Sequence, residues 1–270
     1  MKVLVTGAAG DIGRKVCQYL ISRTDHEVIA LDLVADRESG ILKADLATFD
    51  VEWAKLFEGV DAVVHLAANR RKYADWPDLW PDNVDAALNV YEAAARHGPM
   101  RFVFASSLGT LDEYHWQDGP ILDTQPPNPS SAYGASKVFG ERVGKYFAEH
   151  RGLSVVCLRI GDVLKGETER ADKVAYKDES IWEQQKWLSS NDLGQIVERA
   201  LIAENISFEI VCAVSDNAGM RWTLKAAEQA LGFKPKDSSS PKAPSPFRSL
   251  RIGLRRWLYR LSSQYVKSGP

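Results

Sequence analysis

A chain of 270 residues, 45% of them hydrophobic, can bury one large core and exceeds the commonest single-domain size. A formal net charge of −2 with 26% charged residues gives no overall attraction to nucleic acid, so any basic partner surface must be local. No stretch approaches eighteen uninterrupted apolar residues and no signal-peptide pattern opens the chain, so a cytoplasmic protein is expected.

The first apolar run, Lys2 to Thr6, predicts a strand, and the stretch from Ile12 to Ser22 predicts a helix behind it. Between them lies Thr6-Gly7-Ala8-Ala9-Gly10-Asp11-Ile12-Gly13, a GxxGxxG turn. Gly7 suits a tight turn, Gly10 lets the backbone approach a pyrophosphate, Gly13 allows close helix–sheet packing, and the helix N-terminal amides face the phosphates. A second strand, Glu27 to Leu31, ends at Asp32, nineteen residues after Gly13. A carboxylate there can bind the adenosine ribose hydroxyls and would repel a 2′-phosphate, so NAD is favoured over NADP, with Arg37 as the residue that keeps NADP open.

Further strands are predicted at Asp61 to Ala68, Arg101 to Ser106, Leu153 to Ile160 and Phe208 to Val214. Their nearly continuous Val, Ile and Leu content implies burial on both faces. Helices are predicted at Pro81 to His97, Ser131 to His150 and Asn191 to Glu204, the first from Val84, Leu88, Tyr91 and Ala95 at helical spacing. Strands alternating with helices predict an α/β Rossmann fold, a doubly wound parallel sheet with ligands beyond the strands' carboxyl ends. His65, inside an apolar strand, is expected in the core, and the stretch holding Trp76 and Trp80 as a packed surface loop. Cys17, Cys157 and Cys212 are read as small buried hydrophobes, and no residue cluster suggests a metal.

Tyr133 and Lys137 stand four apart in SAYGASKVFGE, on one face of the predicted helix. A free tyrosine titrates near pH 10, and a neighbouring ammonium is expected to lower that value, so the pair can remove a hydroxyl proton. Ser106 and Ser107 close the strand RFVFASS, where a hydroxyl can hold a substrate oxygen in line with the tyrosine.

TGAAGDIG, the Asp45-Leu46 pair, VVHLAA, Asn83 ahead of YEAAARHG, FASS and YGASK together resemble the extended short-chain dehydrogenase/reductase superfamily, of NAD-dependent epimerase/dehydratase type. RFVFASS, YGASKVFGE, LRIG, WLSSNDL and the stretch through ALGFKPKD are similar to uronate dehydrogenases and related NAD-dependent aldose dehydrogenases. The resemblance implies oxidation of a sugar or sugar-like alcohol at its anomeric carbon, giving a lactone. It implies Ser107, Tyr133 and Lys137 as the catalytic set, with Asn83 supporting them. It further implies contacts to the cofactor from Leu33, Asp45, Leu46, Leu66, Ala67, Ala68 and Ile160, beside Gly7, Gly10, Asp11, Ile12, Gly13 and Asp32, and a homodimer formed through the two longer helices. Two departures bear on the substrate: Leu108 and Gly109 stand where uronate dehydrogenases carry sugar-contacting Asn and His, and Trp182 or Glu183 falls near their carboxylate-binding Arg. Arg170, Lys173 or Lys177 are candidates for that anion contact. The alternatives are a sugar-nucleotide epimerase or dehydratase that retains its NAD, and a non-catalytic dinucleotide sensor.

The expected organisation is a Rossmann domain over 1–237, with substrate-covering elements at 161–187 and 206–237, a linker at 238–246 and a basic amphipathic helix at 247–265. From Ser238 onward the chain has seven basic residues and no acidic one, with Phe247, Leu250, Leu254, Trp257, Leu258 and Leu261 forming an apolar stripe. That pattern suits a peripheral membrane surface, a partner groove, or packing on the enzyme's own body.

Overall fold

The computed structural model describes residues 1–71, 74–98, 101–164 and 180–241. Seven parallel strands form one sheet in the order β3-β2-β1-β4-β5-β6-β7. They are β1 (Lys2–Thr6), β2 (Glu27–Asp32), β3 (Ile41–Lys43), β4 (Ala62–His65), β5 (Arg101–Ser107), β6 (Ser154–Ile160) and β7 (Phe208–Ala213). From β1 the chain winds outward through β2 and β3, then returns to place β4 on the other side of β1. In register, Val3 pairs with Val28 on one side and Ala62 on the other. This reversal opens a crevice beyond the carboxyl ends of β1 and β4.

Strand side chains alternate between two apolar layers, as a period of two requires. Val3, Val5, Val103, Val156 and Leu158 pack with α1 (Asp11–Arg23), α7 (Ser190–Ile202) and α8 (Lys225–Leu231). Leu4, Val63, Phe102, Phe104 and Val155 face the other layer, built from α2 (Val51–Ala54), α4 (Ala86–His97) and α5 (Ala132–Arg151). Two single turns, α3 (Trp76–Leu79) and α6 (Ile181–Gln184), and a 3-10 helix over Leu108–Trp116 cover the carboxyl edge.

The predicted strands are present, with β4 ending at His65 so that Leu66 to Ala68 leave the sheet. Strand β3 was not predicted, because three residues with only Ile41 buried give no readable period. Trp76 and Trp80 are exposed, but on helical turns instead of a loop, with Pro77 in the first turn of α3 where its missing N–H costs nothing. The helix predicted from Pro81 begins as a wide π turn over Trp80–Asp85 before α4. Pro81 lacks the N–H that would bond four residues back, and its ring crowds that carbonyl. The wider turn rotates the buried face onto Val84, Ala87, Val90 and Tyr91 and leaves Leu88 exposed.

Ser131 Oγ accepts from Gly134 N–H and Ser189 Oγ from Asp192 N–H, capping α5 and α7. His65, Cys157 and Cys212 are buried, as expected, while Cys17 is half-buried. Ser239, within the expected linker, is buried and donates to Asn217 Oδ1. The expected helix at 247–265, and with it the membrane or partner contact, lies outside the described residues, as do Arg170, Lys173 and Lys177. Among the described residues no helix is long and apolar enough to cross a membrane.

Candidate active site

Gly7 adopts φ +70°, and a Cβ on it would stand 2.6 Å from Ala67 N. At Gly13 a Cβ would stand 2.1 Å from Gly7 O, so α1 can approach the turn only without a side chain there. Gly10 N–H donates to Gly7 O, which closes the turn and directs the first amides of α1 into the crevice. Asp32, at the end of β2, accepts from Ala9 N–H at 2.9 Å and Val34 N–H at 3.3 Å. Its carboxylate is thereby fixed at the rim of a cleft of about 580 Å³.

Gly7, Gly10, Asp11, Ile12, Gly13, Asp32, Leu33, Asp45, Leu46, Leu66, Ala67 and Ala68 all line that cleft. A glycine cradle that any Cβ would fill, a helix N-terminus and a carboxylate at the second strand end fit the pyrophosphate and adenosine ribose of a dinucleotide. Asp45 Oδ1 accepts from Ala47 N–H and shapes the turn along that side of the cleft.

A second pocket of about 210 Å³ shares Ile12, Leu66, Ala68 and Arg70 with the first. Ser107, Tyr133, Lys137 and Ile160 line it. Strand β5 delivers Ser107 and the first turn of α5 delivers Tyr133, so both side chains enter the same pocket. Ser107 Oγ accepts from Gly109 N–H at 3.0 Å. Lys137 is buried, with Nζ 5.2 Å from the Phe104 ring centre and 5.8 Å from that of Tyr133.

The electrostatics differ from the sequence expectation. Burial raises the Tyr133 phenol above its ordinary value; Ser107 and the charge of Arg70 oppose that rise, and Asp162 adds to it. Burial also lowers the ammonium of Lys137, 5.8 Å from the Tyr133 ring centre, to about 8. An ammonium held against aromatic rings is itself short of solvation.

Asn83 does not line either pocket. It is buried behind them, where Oδ1 accepts from Asn69 N–H at 2.7 Å and Nδ2 donates to Asn69 O and to Ser136 Oγ. Ser136 in turn donates to Tyr133 O, so Asn83 ties the segment after β4 to the first turn of α5. Ser106 points away from Ser107 and donates to Glu141 at 2.6 Å. Glu141 also receives Arg159 through both Nε and Nη2 at 2.9 Å, a buried bidentate pair joining α5 to β6.

Leu108 and Gly109 open the 3-10 helix; Leu108 packs with Trp182 and Trp222 and so presents nothing polar to a substrate. The segment 206–237 contributes β7 and α8 but none of the described lining of the smaller pocket. Residues that sequence reasoning missed include Arg70, Asp162 and Val163 in that pocket, and Asp82 in the larger cleft. Arg70 directly follows VVHLAAN, so its nearness to a recognised strand end was the available signal.

A parallel sheet with a glycine-turn cleft and an adjoining Ser-Tyr-Lys pocket defines a dinucleotide-dependent protein of the Rossmann class. The chain belongs to the NAD dependent epimerase/dehydratase family, whose description matches residues 3–175. It is 34% identical to an L-arabinose 1-dehydrogenase (NAD(P)(+)) of Haloferax volcanii, over 88% of this chain and 98% of that protein. A uronate dehydrogenase of Pseudomonas putida is 32% identical, over 88% of this chain and 85% of the relative. Among solved structures, a glucuronic acid dehydrogenase from Chromohalobacter salexigens superposes with a TM-score of 0.74 at 30% identity, covering 88% of this chain and 85% of the other.

Proposed function

We propose that the protein is an NAD-dependent dehydrogenase that oxidises the anomeric hydroxyl of a sugar and releases a lactone. The convergence of Ser107, Tyr133 and Lys137 in a pocket that adjoins the dinucleotide cleft carries this reading. The names of the arabinose and uronate dehydrogenases support it.

Bound NAD supplies the hydride acceptor. Ser107 holds the sugar oxygen, and Tyr133, as phenolate, takes the hydroxyl proton while the carbon–hydrogen bond breaks and the carbonyl forms. Ser107 and the positive charge of Arg70 favour that phenolate against the cost of burial. Lys137 lies beneath the tyrosine ring on the same helix face, in place to hold the nicotinamide ribose. Asn83, through Ser136, positions the turn that carries Tyr133.

A panel of aldoses, uronates, sugar phosphates and nucleotide sugars, followed by NADH absorbance, tests the reading. Net NADH with a free or phosphorylated sugar is expected. Conversion of nucleotide sugars alone, without net NADH, would establish the epimerase alternative. A homodimer through α4 and α5 accompanies this proposal, since Leu88 and Tyr146 expose large side chains there. A monomeric mass at micromolar concentration rejects that part.

A further inference from the structure

Arg70 is the single charged residue, among those described, that lines both the dinucleotide cleft and the pocket around Tyr133. Its Nη2 donates to Asp11 Oδ2 at 2.9 Å across the mouth between α1 and the segment after β4. Both side chains of that pair are substantially exposed, 53% and 38%, so the contact orients the guanidinium at little energetic cost to break. A guanidinium has five N–H donors, and Nε and Nη1 of Arg70 have no hydrogen-bond partner among the described residues.

Among the described residues the pocket has one other cation, and it is already committed. Lys137 is buried against Phe104 and Tyr133, beneath the atoms where the reaction is proposed to occur. Arg70 is on the open side, close enough for its charge to act on the Tyr133 phenol. Asp162 lines the same pocket and raises the Tyr133 phenol, opposite in sign to Arg70. With one Nη2 proton on Asp11, the planar guanidinium keeps one intact donor edge, which matches the paired oxygens of a carboxylate or phosphate.

We propose that Arg70 is a specificity-determining residue that binds an anionic substituent, carboxylate or phosphate, on the sugar whose hydroxyl faces Tyr133. This rests on the dehydrogenase reading and deepens it by naming what the substrate carries. The residue is distinct from the sequence candidates Arg170, Lys173 and Lys177.

The full-length enzyme and its Arg70→Ala and Arg70→Lys variants are assayed with glucose, glucuronate and glucose 6-phosphate, which differ only at the sixth carbon, and with NAD varied separately. Arg70→Ala is expected to lower the ratio of kcat/KM for the preferred anionic sugar to that for glucose by about ten- to a hundredfold, mainly through KM, the value of a charge-assisted hydrogen bond. Arg70→Lys should recover more of the ratio for phosphate, which accepts a point charge, than for carboxylate, which uses the fork. An unchanged ratio overturns the proposal. So does an equal loss for all three sugars matched by a higher KM for NAD, which assigns Arg70 to the pyrophosphate. If none of the sugars reduces NAD, the dehydrogenase reading fails on its own, and calorimetric titration of the NADH complex with glucuronate and with inorganic phosphate decides Arg70. Weaker binding by Arg70→Ala sustains the assignment; equal binding, or none by either protein, overturns it.

Discussion

Replacing Glu141 by Gln removes one charge and almost no volume from the most enclosed ion pair among the described residues. Glu141 and Arg159 are each 2% exposed, and the carboxylate takes both Nε and Nη2 of the guanidinium together with the Ser106 hydroxyl. In the variant Arg159 keeps its charge and retains Asp123 O, a carbonyl, as a partner. Breaking one side of a buried pair costs about 3–5 kcal/mol, because the remaining ion stays desolvated. Against a total stability of roughly 5–15 kcal/mol, that is a large fraction. The melting temperature should fall by about 6–20 °C. Urea denaturation should show a lower midpoint with an unchanged slope, since the surface exposed on unfolding is the same. Glu141→Gln combined with Arg159→Met should recover at least half of the loss, because no uncompensated charge is then buried. A single variant within about 0.5 kcal/mol of the parent, the range of ordinary surface substitutions, would refute the reasoning.

Tyr133→Phe should lower turnover by about 10²–10⁴ while NAD affinity is largely kept, and a stopped-flow turnover equal to the parent's removes Tyr133 as the base. Burial, with the Lys137 charge adding to it, holds the His65 imidazole at about 3, below its ordinary 6.5. Between those values the unfolded chain binds a proton that the native protein does not, so stability rises with pH across that window and is lost on acidification. His65→Gln should reduce the pH slope of the urea midpoint between pH 4 and 6, and identical slopes contradict the assignment. Asp32→Ala should narrow the preference for NAD over NADP by at least tenfold in kcat/KM, because the carboxylate that repels a 2′-phosphate is gone; an unchanged ratio places the selectivity elsewhere.

The sequence by itself determined the sheet, the glycine turn and the shared helix face of Tyr133 and Lys137. Continuous apolar runs can be satisfied only by strands covered on both faces, and the spacing of Gly7, Gly10 and Gly13 leaves room only for a close backbone turn. Tyr133 and Lys137 share a face because four residues make about one helical turn. These are local constraints, and local constraints are written in neighbouring residues. Strand β3 exists because Ala30, Leu31 and Asp32 offer an open edge to Ile41, Leu42 and Lys43, a partner that three residues cannot announce.

Tertiary structure alone decided the electrostatics and the roles that depend on distant neighbours. The raised phenol of Tyr133 follows from enclosure by segments far apart in the chain, and Arg70 meets it only because β4 and α5 are brought to the same crevice. Asn83 became a positioning residue when the π turn aimed it at Asn69 and Ser136 and away from either pocket. Desolvation and charge act through space, so their outcome is fixed only once the fold sets which groups lie near one another and how much water is left between them.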